Sequence, residues 1–289
     1  MLFRSLAEAV SREAELRGDR WGVGMMDTLL AQMTLWRGDV AEGLRLAERA
    51  RAQFKRIDDH YGLAQSLAPL VRAQIALGRT AAAQRTTEEL SAIATANRVG
   101  PIPMLALAGA AMHRGNAAAA LQAADDAIAE MTAIGATMPE AYVVKALALV
   151  QRGDTEQALT VIDLFDAPDR GGRPFAEAAE ALIRSCNGDH VRARELADGI
   201  ANSDVSTYLD DVFAGIACAS SSHALGLRDH AVVAVETAIM RATSAGDVVA
   251  TALATAVYRQ VTGTTHPAHD DAHALSDGWT TVLTLLRGV

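Results

Sequence analysis

Residues 146–158 read Ala146-Leu147-Ala148-Leu149-Val150-Gln151-Arg152-Gly153-Asp154-Thr155-Glu156-Gln157-Ala158. An apolar stretch runs into a glycine, an acid follows, and a small residue stands five positions beyond the glycine. The glycine reads as a helix stop in the left-handed backbone region, where a missing Cβ removes the steric cost. Asp154 suits the N-cap of a following helix, because its carboxylate can accept from the unpaired amides of the first turn. The segment therefore predicts a tight turn between two helices.

The same pattern recurs along the chain. Gly38, Gly78, Gly115, Gly153, Gly188 and Gly226 each close an apolar stretch, with Gly263 a weaker seventh. Their spacings are 40, 37, 38, 35, 38 and 37 residues, room for two helices of about 14 residues and two turns. Five residues after the glycines stand Gly43, Ala83, Ala120, Ala158, Ala193, Ala231 and Ala268; seven before stand Ala31, Val71, Ala108, Ala146, Ala181, Ala219 and Ala256. All are valine-sized or smaller, as two helices closing against each other require. Twelve after come Ala50, Leu90, Ala127, Phe165, Ile200, Ala238 and Leu275, all apolar. Asp39, Asn116, Asp154 and Asp189 supply N-caps. Pro101, Pro139 and Pro174 share one frame position, where proline opens a helix. Two further repeats open in a second way, as Asp19-Arg20-Trp21-Gly22-Val23 and Asp59-His60-Tyr61-Gly62-Leu63.

Gly-Asp-x-x-x-Ala between two amphipathic helices resembles the tetratricopeptide repeat. The period of 37–38 exceeds that repeat's usual length of about 34. With the Asp-x-[Trp/Tyr]-Gly openings, it is similar to the longer repeats of the MalT-like family. The resemblance covers nearly the whole chain. It departs at Gly43, at the missing acid or amide after Gly78 and Gly226, and in the last repeat. It implies an all-α, right-handed superhelical solenoid of about seven helical hairpins, forming one domain over 1–289: a half repeat at 1–18, main repeats over 19–263, and a C-terminal cap at 264–289. Leu2, Phe3, Leu6, Ala7, Val10 and Ala14 form the face of a second-type helix whose partner would precede Met1. The array is thus expected to begin mid-repeat, as a piece of a longer protein would. Trp279, Val282, Leu283 and Leu286 make a helical stripe, expected to pack on the last repeat.

Composition agrees with helices throughout. Half of the 289 residues are hydrophobic but only 4% are aromatic; alanine, about a fifth of the chain, fills the gap and allows close helix approach. No alternating β-branched run reads as a strand. The net charge of −9, with mixed signs, argues against a grip on a phosphate backbone, so no direct nucleic-acid partner is expected. No apolar run reaches the ~18 residues of a membrane span, and Arg4, Glu8, Arg12 and Glu13 break any signal-peptide core. Cys186 and Cys218 read as reduced thiols in a cytoplasmic protein.

No catalytic motif emerges. Neither Lys55 nor Lys145 follows a glycine-rich phosphate loop, and there is no Gly-x-Ser-x-Gly, His-Glu-x-x-His or Cys-x-x-Cys. His266, His269, Asp270 and His273 read as a solvated helix start, since no further metal ligand is indicated. Ser220, Ser221, Ser222 and His223 read as small polar residues on a helix rather than a nucleophile set. Asp166–Arg173 reads as an exposed turn or slight bend. No cofactor, metal or catalytic residue is expected.

The resemblance implies that the first helices line the concave side. In-frame positions there hold Met25, Ile102, Leu105, Met112, Val143, Leu147, Val150, Phe175, Leu182, Phe213 and Ile216. Such a stripe suits a helix laid in the groove, or an apolar ligand, better than a carboxylate tail. Tight winding would instead bury much of it. The expected role is protein or peptide binding, in a regulator resembling the MalT type, where the partner could be another domain of the same polypeptide, or in a free-standing adaptor.

Overall fold

The computed structural model describes residues 2–164, 174–201, 206–267 and 275–288. All regular structure among them is helical. A single helix α1 (Leu2–Leu16) precedes six hairpins: α2 (Arg20–Trp36) with α3 (Val40–Arg56), α4 (His60–Ala76) with α5 (Thr80–Ala96), α6 (Pro101–His113) with α7 (Ala117–Ala133), α8 (Pro139–Gln151) with α9 (Thr155–Leu164), α10 (Pro174–Cys186) with α11 (His190–Ala201), and α12 (Tyr208–Ala224) with α13 (Arg228–Ala245). Then come α14 (Val248–Thr262) and α15 (Asp277–Leu286). The segment Asp166–Arg173 and residues His269, Asp270 and His273 lie outside the described residues.

The turns form as the residues dictate. All seven frame glycines have φ between 66° and 85°. Asp39 accepts from the Glu42 amide at 3.3 Å and Asn116 from the Ala119 amide at 3.1 Å. Asp19 and Asp59 likewise cap α2 and α4, accepting from Gly22 at 2.9 Å and Gly62 at 3.1 Å. Where the sequence lacks an acid or amide, after Gly78 and Gly226, α5 and α13 start with no side-chain cap.

The small-residue register closes the hairpins. Ala31, Ala108, Ala146, Ala181 and Ala219 are fully buried, as are Ala120, Ala158, Ala193 and Ala231 across from them. Gly43 has a local cause: a Cβ there would lie 2.7 Å from Leu35 Cγ. The second aromatic–glycine opening, Tyr61-Gly62, has one too. The fully buried Phe54 ring of α3 is wedged between Gly24 of α2 and Gly62 of α4, where added Cβ atoms would come within 2.7 Å and 2.2 Å of it.

Successive first helices (α2, α4, α6, α8, α10, α12, α14) pack side by side. The second helices pack chiefly on the first helices flanking them. The first helices therefore form the inner layer and the second helices the outer one. The winding is tight enough for the chain to meet itself after five repeats. A Cβ on Gly38 would lie 3.2 Å from Ala245 Cβ and 3.3 Å from Tyr208 Cβ; one on Gly78 would lie 2.9 Å from Val248. Helix α4 packs on α14, and Tyr208 and Ala245 belong to the same apolar core as Leu67, Leu70 and Phe54. On the late side of this seam Tyr208 Oη donates to Asp247 Oδ2 at 2.9 Å, and from the early side Arg72 of α4 is close enough to favour the ionised forms of Asp210 and Asp247. Burial is the larger effect and lifts both carboxyls above the ordinary aspartate range.

Candidate interaction surface

The outer layer is charged. Lys55 pairs with Glu89 at 2.8 Å and Arg192 with Glu195 at 3.0 Å, and Asp125 of α7 pairs at 2.6 Å with Lys145 of the inner helix α8. Such exposed pairs contribute little stability and mark a solvated face. A cleft at the N-terminal end, lined by Ser11, Arg12, Glu15, Glu42, Arg45 and Arg49, mixes both signs of charge. Two of its arginines are already engaged, Arg45 by Glu42 and Arg49 by Asp27 and Glu15. The inner layer is the apolar one, and its two ends differ.

Toward the C-terminus the inner layer is covered by the chain's own last helix. Helix α15 starts on the turn after α6, where Ser276 Cβ would lie 3.4 Å from a Cβ on Gly115. This is the place an eighth first helix would start, since α12 and α14 begin in the same way on Gly38 and Gly78. It then packs on α6, α8 and α10 as well as α14. Gln151, the last residue of α8, lies directly against Gly278, and a Cβ there would come 2.5 Å from Gln151 Oε1. The Trp279 ring stands 6.1 Å from Phe213 of α12, tilted by 37°. Gln260 Nε2 of α14 donates to Leu283 O at 3.1 Å, and Ser220 Oγ of α12 donates to Leu286 O at 2.7 Å. These two side chains satisfy carbonyls at the helix C-terminus that have no partner within the helix. Trp279, Val282, Leu283 and Leu286 are all buried. The stripe thus reaches the last repeat, as its spacing predicts, and four earlier first helices besides.

Toward the N-terminus the same face is open. On α2, Trp21 is 50% exposed, Leu29 41% and Trp36 46%, with Met25 between them half-buried. Their spacing puts them on one helical face. It is the face that α15 uses elsewhere. Trp36 stands two residues before its frame glycine, as Gln151 does in α8; Met25 stands thirteen before, as Phe213 does in α12. Tyr61, at the start of α4, adds a second half-exposed aromatic edge.

The stripe read from the sequence divides. Ile102, Leu105, Met112, Val143, Phe175 and Phe213 are partly exposed. Leu147, Val150, Leu182 and Ile216 are buried in the core and offer no open surface, which corrects their placement as groove lining. The cause is the tight winding together with α15: Val150, three residues before its glycine, and Ile216, ten before, join the packing of neighbouring hairpins instead. Met112, Val143 and Phe213 border the core that holds Trp279. Sequence reasoning passed over Trp21, Leu29 and Trp36, although their spacing around Met25 was visible.

The hydroxyls of Ser220, Ser221 and Ser222 are engaged with Leu286 O, Ser185 Oγ and the Cys218 thiol, and His223 is exposed beyond them. Both cysteines are free, and burial pushes the Cys186 thiol up to about 12. His266 packs edge-on to Tyr258, with ring centroids 4.8 Å apart. Among the described residues, no group of three or more His, Cys, Asp and Glu side chains is placed to hold a metal ion, and no helix is long and apolar enough to cross a membrane.

No protein-family model matches the chain, and no curated protein sequence does. Among solved structures it is similar to the crystal structure of a tetratricopeptide repeat protein from Parabacteroides merdae ATCC 43184. The TM-score is 0.49 at 11% identity, over 91% of this chain and 98% of that one.

Proposed function

We propose that this tetratricopeptide-like array is a non-catalytic scaffold that binds an apolar helical segment of a partner protein along its inner layer. The observation that carries the reading is the Trp21–Met25–Leu29–Trp36 stripe. Two of the chain's three tryptophans stand half-exposed on one face of one helix, and exposed apolar patches with aromatic anchors are where binding energy concentrates. The face that continues this stripe already holds a helix, α15, so its shape suits helix-in-groove recognition. Replacing Trp21 and Trp36 by alanine should abolish partner capture without changing the melting temperature. Val191→Ser and Val233→Ser on the outer helices should leave capture unchanged. Capture that survives the double tryptophan replacement refutes the reading.

A second reading, the sensor domain of a larger signalling or transcription-regulatory protein of the MalT type, rests on the Asp19–Val23 and Asp59–Leu63 openings. Both place a glycine under tight constraint, Gly22 against Asp19 and Ala14 and Gly62 against Phe54. In that case the bound segment belongs to another domain of the same polypeptide. The reading frame upstream of residue 1 tests it: a phosphate-loop ATPase module there favours this reading over an adaptor.

A further inference from the structure

We infer that α15 is a built-in competitor: it occupies the C-terminal half of the inner layer as a pseudo-ligand, and a partner helix of the same pattern displaces it. The inference rests on the scaffold reading above and specifies both the partner's chemistry and its regulation. The pattern is an aromatic followed by aliphatics three, four and seven positions on, as Trp279, Val282, Leu283 and Leu286 stand.

Three observations carry it. Helix α15 begins where the next repeat would begin, yet it leaves that course and lies across α8 and α10. Its partners are single side chains spread over three inner helices: Gln151 of α8, Phe213 and Ser220 of α12, and Gln260 of α14. That is how a groove holds a ligand, and it differs from the hairpin register that joins the repeats to one another. The fit is also incomplete at its N-terminal end. The amide of Gln151 is buried against Gly278 with neither Oε1 nor Nε2 hydrogen-bonded, and the hydroxyl of Ser276, two residues before Gly278, is likewise unpartnered. Buried polar groups without partners oppose docking, and release returns them to water. Displacement also leaves the inner helices packed on one another.

A partner's apparent affinity at this seat falls in proportion to the fraction of molecules in which the seat is open. Any change that loosens α15 should therefore tighten partner binding. The open Trp21–Trp36 stripe, on the same face, gives an arriving segment a first foothold that needs no displacement.

The test uses the full chain and a fluorescent peptide of residues 275–288. Leu283→Asp places a charge in the buried stripe of α15 and leaves the seat untouched. The peptide should bind this variant at least tenfold more tightly than it binds the wild-type chain. Adding Phe213→Ala to the variant should weaken binding at least tenfold, and adding Trp36→Ala should not, because the foothold matters only while α15 closes the seat, as it does in the wild-type chain. If Trp36→Ala alone removes binding, the scaffold reading stands and the displacement idea falls. If neither matters, both fall. Hydrogen exchange on the wild-type chain gives an answer even if Leu283→Asp fails to fold. Amides of α15 should exchange by local opening, at least tenfold faster than those of α12 and α14. Exchange of α15 only together with α12 makes it part of the core and overturns the inference.

Discussion

The fit of Phe54 between Gly24 and Gly62 allows a sharp test of why the second repeat opens with a glycine. Gly62→Ala adds one methyl group to α4. Its carbon would fall 2.2 Å from Phe54 Cε1 and 2.3 Å from Cδ1, whereas carbon atoms settle at ~3.5–4.0 Å. The ring would have to retreat by over ~1 Å. It cannot move toward α2, because a Cβ on Gly24 would already lie 2.7 Å from Cζ, so little free space remains on that side. Overpacking of a filled site costs ~1–3 kcal/mol, and alanine in place of glycine returns up to ~1 kcal/mol of helix propensity. The net is a loss of about 1–2 kcal/mol, at a position in the first turn of α4 where helix propensity alone favours alanine. Thermal unfolding followed by circular dichroism should show a drop of roughly 2–8 °C. Phe54→Leu, which shortens the ring, should rescue the alanine variant, so the double mutant is less destabilised than the sum of the singles by about 1 kcal/mol or more. A Gly62→Ala protein as stable as wild type, or more so, refutes the account.

Three further outcomes are expected. Ala146→Leu and Ala181→Leu, both at fully buried hairpin contacts, should each cost ~1–3 kcal/mol in chemical denaturation, while Ala118→Leu, on the exposed side of α7, should be neutral; equal effects would break the register. Burial lifts the folded pKa values of Asp210 and Asp247, so the folded chain holds protons more tightly than the unfolded one, and these carboxyls cost stability as pH rises from the ordinary aspartate range near ~4 through their raised values. The melting temperature of wild type should therefore fall relative to Asp247→Asn over that interval, since asparagine can keep the cap on Val249 and Ala250; a gap that widens toward acid pH contradicts this. Cys186, whose thiol is held up to about 12 by burial, should resist alkylation in the native chain while the half-buried Cys218 reacts first, as peptide mapping after a timed iodoacetamide pulse would show.

Much of the fold is legible in single residues, because each does a local job. A glycine with positive φ stops a helix whatever surrounds it, and an aspartate two or three residues before free amides caps the next. The alanines facing one another across each hairpin leave their mark at fixed offsets. What is not legible is which way a helix turns its faces once it is apolar on most sides. Helix α4 is buried along almost its whole length by hairpin neighbours and by the seam with α14. Nothing in its sequence separates those two causes. Leu147, Leu182 and Ile216 look like groove lining for the same reason, and only the winding makes them core. The α15 stripe shows that a helix buries one face but does not name its seat. Trp36 escaped attention because it closes a helix just before a turn, where a solvated residue is the ordinary case.

The seam between the first and last repeats has a consequence for how this array could evolve. An open solenoid can gain or lose a unit by duplication or deletion, because every unit sees only its neighbours. Here Gly38 must meet Tyr208 and Ala245, and Gly78 must meet Val248, five units further on. Deleting any one repeat between them would slide every pair out of step by a whole unit, bringing Gly38 opposite Val248. The number of repeats between these contacts is therefore fixed by geometry, like the number of staves that closes a cask.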